Sequence, residues 1–306
     1  MTKRKKTATP RSSRTSNAAK GPASRLKSVS KNKEWQKELK AAFKAADGAK
    51  RILNKYFGSL SQVSEKFQAG LVTEADRDSE KYIIQTLHSK FPDHQFLGEE
   101  SGLSHMKKAP LASQTKVLKG QKIFRWIIDP LDGTTNYVHQ FPFFCISIAL
   151  EVNGEMVVGV VDAPQLKMRF HAVRGQGAFL NNKKIHVSER ESLHDGLFAT
   201  GFSDLDPLVE KQLELCAKIV KEARGLRRAG AAALDLCFVA SGSFDVFWEK
   251  NLKPWDTAAG SLIAAEAGAV ISNLKGEKFK VEMPHIVAGT PKMHAELLKL
   301  YREINS

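Results

Sequence analysis

Cysteine is scarce in this 306-residue chain, which has only three: Cys145, Cys216 and Cys237. They stand apart in apolar stretches with no paired spacing, so no disulfide framework is needed, no cysteine nucleophile or zinc site is expected, and buried thiols in a reducing compartment are. No apolar run approaches the roughly 18 residues of a spanning helix, and the N-terminus has no apolar segment of the signal-peptide kind. These absences predict a soluble, cytoplasmic protein. Acidic residues are missing altogether from positions 1–33, where large apolar side chains are also rare. Such a segment buries too little surface to offset the entropy of ordering, and a disordered basic arm is expected there.

The arm also dominates the charge. The formal net charge is +14, and residues 1–33 hold 11 of the 47 Lys and Arg, leaving 36 basic against 33 acidic residues in the rest. The remainder gives no reason to expect a phosphate-backbone partner, so weak contact with nucleic acid or an anionic surface is assigned to the arm alone. Its Ser and Arg would also suit an organelle transit peptide, but the many Lys and the lack of an apolar face count against that reading.

What is present beyond Lys33 is well patterned. Trp35, Leu39, Ala42, Phe43, Ala46, Ile52, Leu53, Tyr56 and Phe57 recur at helical spacing, with Gly58 as a stop, and a second helix is predicted over 76–90. Apolar runs at 94–98, 123–128, 144–152 and 156–161 read as strands, the last two joined by the hairpin pair Asn153-Gly154. Further strands are expected at 168–173, 178–180 and 184–187. Helix patterns at 207–223, 230–240, 256–267 and 291–304 then alternate with apolar runs at 198–201, 244–248, 269–272 and 285–288. That alternation predicts an α/β arrangement, with an α+β half over 34–190 and an α/β half over 191–306 that completes the site. Residues 107–121 are polar and Lys-bearing and are expected to form a mobile loop.

Four acidic fragments carry the chemistry. In WIIDPLDGTTN (126–136), an apolar strand delivers Asp129, Pro130 bends the chain, and Asp132 returns with the carbonyl of Leu131 between them. Two carboxylates and a carbonyl within four residues suit a hard divalent cation; the same letters also make an ordinary strand-ending turn. Gly133, Thr134 and Thr135 then offer N–H groups and hydroxyls to a phosphate. In LGEES (97–101), Glu99 and Glu100 follow a strand directly and repel one another unless a cation neutralises them. PWDTAAG (254–260) puts Asp256 at a helix start and LVTEAD (71–76) does the same for Thr73 and Asp76, and both also read as plain capping arrangements.

Taken in order, the fragments resemble the inositol monophosphatase family, whose pattern runs T-x-x-D, G-E-E-S, W-x-I-D-P-x-D-G-T-T-N-(F/Y)-x-H-x-F-P and W-D-x-A-A-G. The likeness extends from about Lys37 to Ile304 and takes in RGQGAFLNNKKIHVS (174–188) and RRAGAAALDLCFVASGSFDVFWE (227–249). It implies a layered α-β-α-β-α sandwich of the sugar and inositol phosphatase type, magnesium as cofactor, lithium sensitivity and a homodimer. Carried over by position, Glu99, Asp129 and the Leu131 carbonyl hold a first Mg2+, and Asp129, Asp132 and Asp256 a second. Thr134, held by Asp76, orients the attacking water, with Glu99 assisting. Asp132, the Gly133 and Thr134 N–H groups, Ala232 and Glu249 contact the substrate, and Glu100 supports from behind. The implied reaction is hydrolysis of a small phosphate monoester, inositol monophosphate first. Fructose-1,6-bisphosphate, histidinol phosphate and glycerol phosphate remain open, as does a nucleic-acid-associated regulatory protein that keeps the phosphatase fold.

Overall fold

A computed structural model describes residues 34–66, 70–104, 122–202 and 209–305. The expected arm and the expected loop at 107–121 lie outside the described residues. The chain opens with α1 (Gln36–Tyr56), a short hairpin of β1 (Val63–Lys66) and β2 (Gly70–Thr73), α2 (Glu74–His88), β3 (Gln95–Gly98), β4 (Gly102–Ser104), β5 (Phe124–Asp132) and α3 (Thr134–Val138). A run of strands follows: β6 (Cys145–Val152), β7 (Glu155–Ala163), β8 (Met168–Val173), β9 (Ala178–Leu180) and β10 (Lys183–Ile185). The second half contributes β11 (Leu197–Thr200), α4 (Val209–Glu222), β12 (Gly225–Arg227), α5 (Ala232–Ala240), β13 (Val246–Lys250), α6 (Pro254–Glu266), β14 (Val270–Ser272), β15 (His285–Gly289) and α7 (Pro291–Asn305).

Two sheets organise these elements. The larger has the order β10-β9-β8-β7-β6-β5-β3-β4, and the smaller has β12-β11-β13-β15-β14. Helices α1 and α2 cover one face of the large sheet, α5 and α6 fill the space between the sheets, and α4 and α7 cover the far face of the small one. The five layers of the expected α-β-α-β-α sandwich are therefore all present. Sequence character explains the order. Both α5 and α6 are apolar on nearly every side, as helices buried between two sheets must be, whereas α1, α4 and α7 carry one apolar stripe and a solvated face. The core cluster between large sheet and α5/α6 draws on Ile127, Ala149 and Val161 from one half and Leu234, Ala259 and Ile263 from the other.

Turn chemistry sets the register where it matters. Asn153 and Gly154 take φ of 52° and 84°, the left-handed values of a tight hairpin, and Asn181 and Asn182 do the same at 46° and 66°. The helix expected from Asp76 begins at Glu74 with Thr73 as its cap, and the one expected from Asp256 begins at Pro254. Short elements without strong periodicity, such as β1, β4, β12 and α3, add to what the sequence pattern predicts. No helix among the described residues is long and apolar enough to cross a membrane.

Candidate active site

Strand β5 carries the centre of the site. It pairs with β6 so that Asp129 faces Ser147 and Asp132 faces Cys145, with two residues between them on one strand against one on the other. The extra residue is a bulge, and it has a chemical consequence: positions i and i+3 of a regular strand point to opposite faces, whereas one inserted residue returns them to the same side. Pro130, which lacks an N–H, is well suited to that break in the ladder. Gly133 follows with φ 95°, and a Cβ there would meet the Phe143 carbonyl at 3.1 Å and Ala231 Cβ at 3.3 Å, so the chain turns tightly into α3.

Three other elements converge on the bulge. Strand β3 runs parallel to β5, with Gly98 beside Ile128, and the Glu99 N–H donates to the Ile128 carbonyl at 3.2 Å. That pairing sets Glu99 next to Asp129. Helix α6 is tied down by Ser147 Oγ, which donates to the Trp255 carbonyl at 3.2 Å, and Asp256 in its first turn accepts the Lys253 N–H at 2.7 Å. From α2, Asp76 accepts the Thr73 N–H on Oδ2 at 2.8 Å and lies with Oδ1 3.2 Å from Thr134 Oγ1. Asp76 and Asp256 are both third residues of their helices, where a carboxylate turns back to the chain before it. Local capping and the site geometry are thus compatible readings of the same residues.

Burial and mutual repulsion shape the charges. Asp129 is held well above the usual carboxylate range, first by burial and then by the charges of Glu99, Asp132 and Asp256. Asp132 is pushed up to about 7 by burial and by Glu99, against the opposing hydrogen bonds from Ala233 N–H, at 2.8 Å, and Cys145. Asp256 is raised by burial, by Asp132 and by Glu99. One oxygen of Asp129 accepts the Leu131 N–H at 3.0 Å, one of Asp132 accepts Ala233, and one of Asp256 accepts Lys253, so each carboxylate is anchored to the backbone. Among the described residues no three His, Cys, Asp or Glu side chains are arranged to hold an ion as they stand. The residues nonetheless fit a hard divalent cation on donor chemistry: oxygen ligands only, anchored at one end, in a neighbourhood of uncompensated negative charge.

Of the other expected residues, Ala232 opens α5 beside Ala233 and so touches the Asp132 side of the cup. Glu249, near the end of β13, is pushed up to about 8 by burial and by Asp132, with Arg228 opposing. Its carboxylate packs on Gly201, where a Cβ would fall 2.2 Å from it. Glu100 lines a shallow cleft with Arg77, Lys81 and Gln85 of α2. Three buried residues near the site, Ser79, Glu80 and Asp235, are not singled out by the sequence reading. A lone acid in the apolar run LDLCFVA was the available signal for Asp235, and the i, i+3, i+4 spacing from Asp76 was the signal for the other two.

Comparison with known proteins gives the family and the fold. Residues 34–306 match the sequence profile of the inositol monophosphatase family. The chain is 41% identical over 265 residues to the putative Nus factor SuhB of Neisseria meningitidis serogroup B, covering 86% of this chain and 97% of that one. It is 38% identical over 258 residues to an inositol monophosphatase of Dictyostelium discoideum, covering 82% and 90% of the two chains. The solved structure of the extragenic suppressor protein SuhB from Bartonella henselae superposes with a TM-score of 0.78 at 39% identity, over 86% of this chain and 98% of that one. A match that spans both sheets and every fragment of the acidic cup is a match of the whole described fold, and the chain belongs to the inositol monophosphatase family.

Proposed function

We propose that the protein hydrolyses a small phosphate monoester, inositol monophosphate foremost, with magnesium held by Glu99, Asp129, the Leu131 carbonyl, Asp132 and Asp256. The observation that carries this reading is the convergence of β3, the β5 bulge and the first turn of α6, which bring four acids into one electrostatic neighbourhood. Magnesium there supplies the positive charge that neutralises phosphoryl oxygens and activates water for in-line attack. The chain's own residues do the rest. Thr134 Oγ1 has one proton and two acceptors near it, Leu131 O at 3.1 Å and Asp76 Oδ1 at 3.2 Å. With that proton committed, the hydroxyl is left to accept a hydrogen bond from the attacking water and so to orient it. The Gly133 and Thr134 N–H groups face the phosphate, and Glu249 accepts from substrate hydroxyls. The family likeness also favours a homodimer and a cytoplasmic setting.

The test is a screen of phosphate monoesters with purified protein and magnesium. Activity that disappears in excess chelator, falls with lithium and is highest on inositol monophosphate supports the proposal; full activity in chelator overturns it. Glu249→Gln should raise KM for inositol monophosphate more than for an aryl phosphate, which has no hydroxyls to offer.

A second reading rests on charge. Residues 1–33 combine 11 basic residues with no acid, and several relatives carry the name Nus factor. The arm would bind nucleic acid through phosphates, weakly, with a steep salt dependence and little sequence preference. Salt-titrated binding of full-length protein against a chain lacking residues 1–33 decides it.

A further inference from the structure

Helix α2 presents Asp76, Ser79 and Glu80 on one face, and all three are buried. Each reaches a different piece of the acidic cup. Asp76 meets Thr134, Ser79 Oγ donates to the Pro130 carbonyl in the bulge at 3.1 Å, and Glu80 accepts two consecutive backbone amides, Glu100 N–H on Oε2 and Ser101 N–H on Oε1, both at 2.9 Å. The Glu99 N–H is already bonded to Ile128. The amides of residues 99, 100 and 101 are therefore all fixed, the first by the neighbouring strand and the next two by Glu80. Glu80 also packs directly on the residue before Glu99: a Cβ on Gly98 would lie 2.4 Å from Glu80 Oε2.

We infer that Glu80 is a positioning residue for the cation site, fixing the backbone that carries Glu99 without itself touching metal or substrate; the inference rests on the proposed phosphatase reading. The chemistry explains why this residue is an acid. The two adjacent N–H groups meet separate oxygens of Glu80, an arrangement that a carboxylate supplies and a carboxamide, with one acceptor oxygen, does not. A glutamine would satisfy one amide and set its own NH2 against the other, so the turn would shift or fray. A ligand whose backbone is loose binds its ion more weakly even though its own side chain is unchanged.

The experiment is magnesium binding by calorimetry, beside phosphatase kinetics, for wild type and Glu80→Gln. The expected result is a magnesium dissociation constant raised roughly tenfold or more, with KM for the phosphate substrate at saturating magnesium within about twofold of wild type. A folded Glu80→Gln with wild-type magnesium affinity overturns the inference, whatever happens to its thermal stability. Where Glu80→Gln does not fold, Gly98→Ala tests the same contact from the other side by displacing the Glu80 carboxylate, and unchanged magnesium affinity there overturns the inference equally. A wild-type protein that binds no divalent cation overturns the proposed function and the inference with it, whereas loss confined to the variants supports both.

Discussion

Helices α2 and α5 both carry acids out of reach of water, and they treat them in opposite ways. In α2, Asp76 and Glu80 are 0% and 3% exposed, and each accepts at least two hydrogen bonds from neighbouring chain. In α5, Asp235 is 1% exposed, and neither of its oxygens has a hydrogen-bond partner among the described residues. Its carboxyl is held well above the ordinary range, first by burial and then by the charges of Glu249 and Asp132, with Arg228 only partly opposing. Burial alone does not decide what a carboxylate does to a fold. The supply of donors does: a served acid organises the chain around it, and an unserved one costs stability whenever it ionises.

The largest effect is expected in the acidic cup itself. Asp129→Asn should lower kcat/KM by about 1000-fold or more, because it removes the charge proposed to touch both cations, while Glu100→Gln, at a residue of the α2 cleft, should lower it by no more than the roughly 10–100-fold of a supporting residue. Comparable losses in two folded variants would break the distinction between cup and cleft.

Next in size is the unserved acid. Asp235→Asn should stabilise the protein by about 1–3 kcal/mol at pH 8, read as a rise in Tm. The sign follows from the raised carboxyl. Below the unfolded value both states are protonated and the penalty is absent. As pH rises past that value the unfolded chain ionises first, and native stability is lost until the folded carboxyl ionises too. The gain from the substitution should therefore shrink toward pH 4, and a pH-independent gain would mean that charge is not its cause.

A smaller effect extends the comparison to bases. Burial pushes both His94 and His171 down to about 4. His94 Nδ1 accepts the Trp126 indole N–H at 3.1 Å, which only a neutral ring can do. A histidine lowered in the folded state takes its proton first in the unfolded chain, so the stability it contributes is present above about pH 6.5 and lost as pH falls toward 4. His94→Gln should flatten the fall of Tm across that window, measured by thermal melts at stepped pH. The smallest effect concerns the arm. Removing residues 1–33 should leave kcat and Tm nearly unchanged, because every residue of the cup lies beyond it, and loss of catalysis in a folded truncated protein would place the arm within the enzyme.

Much of this was legible from sequence because the signals were local. Asn153-Gly154 fixes a hairpin through backbone sterics, an apolar run ending in Asp129-Pro130 announces a strand that stops being regular, and a helix apolar on all sides, such as α6, announces burial between layers. Glu80 and Asp235 were not legible in that way. Nothing in residues 76–80 says that the partner of Glu80 is a pair of amides 20 and 21 residues on, and nothing in LDLCFVA says that Asp235 has no donor among the described residues.

The sequence by itself determined which residues carry charge, which segments bury apolar faces, where the chain turns and which side chains have oxygen to give a cation. These follow from propensity, periodicity and side-chain chemistry, all short-range properties. Only the tertiary structure decided that the β5 bulge turns Asp129 and Asp132 to one side, that β3 and α6 bring Glu99 and Asp256 to meet them, that Glu100 lines the cleft beside α2, and that one buried acid is served and another is not. Those outcomes depend on strand register and layer packing, which are settled by the simultaneous burial of residues far apart in the chain.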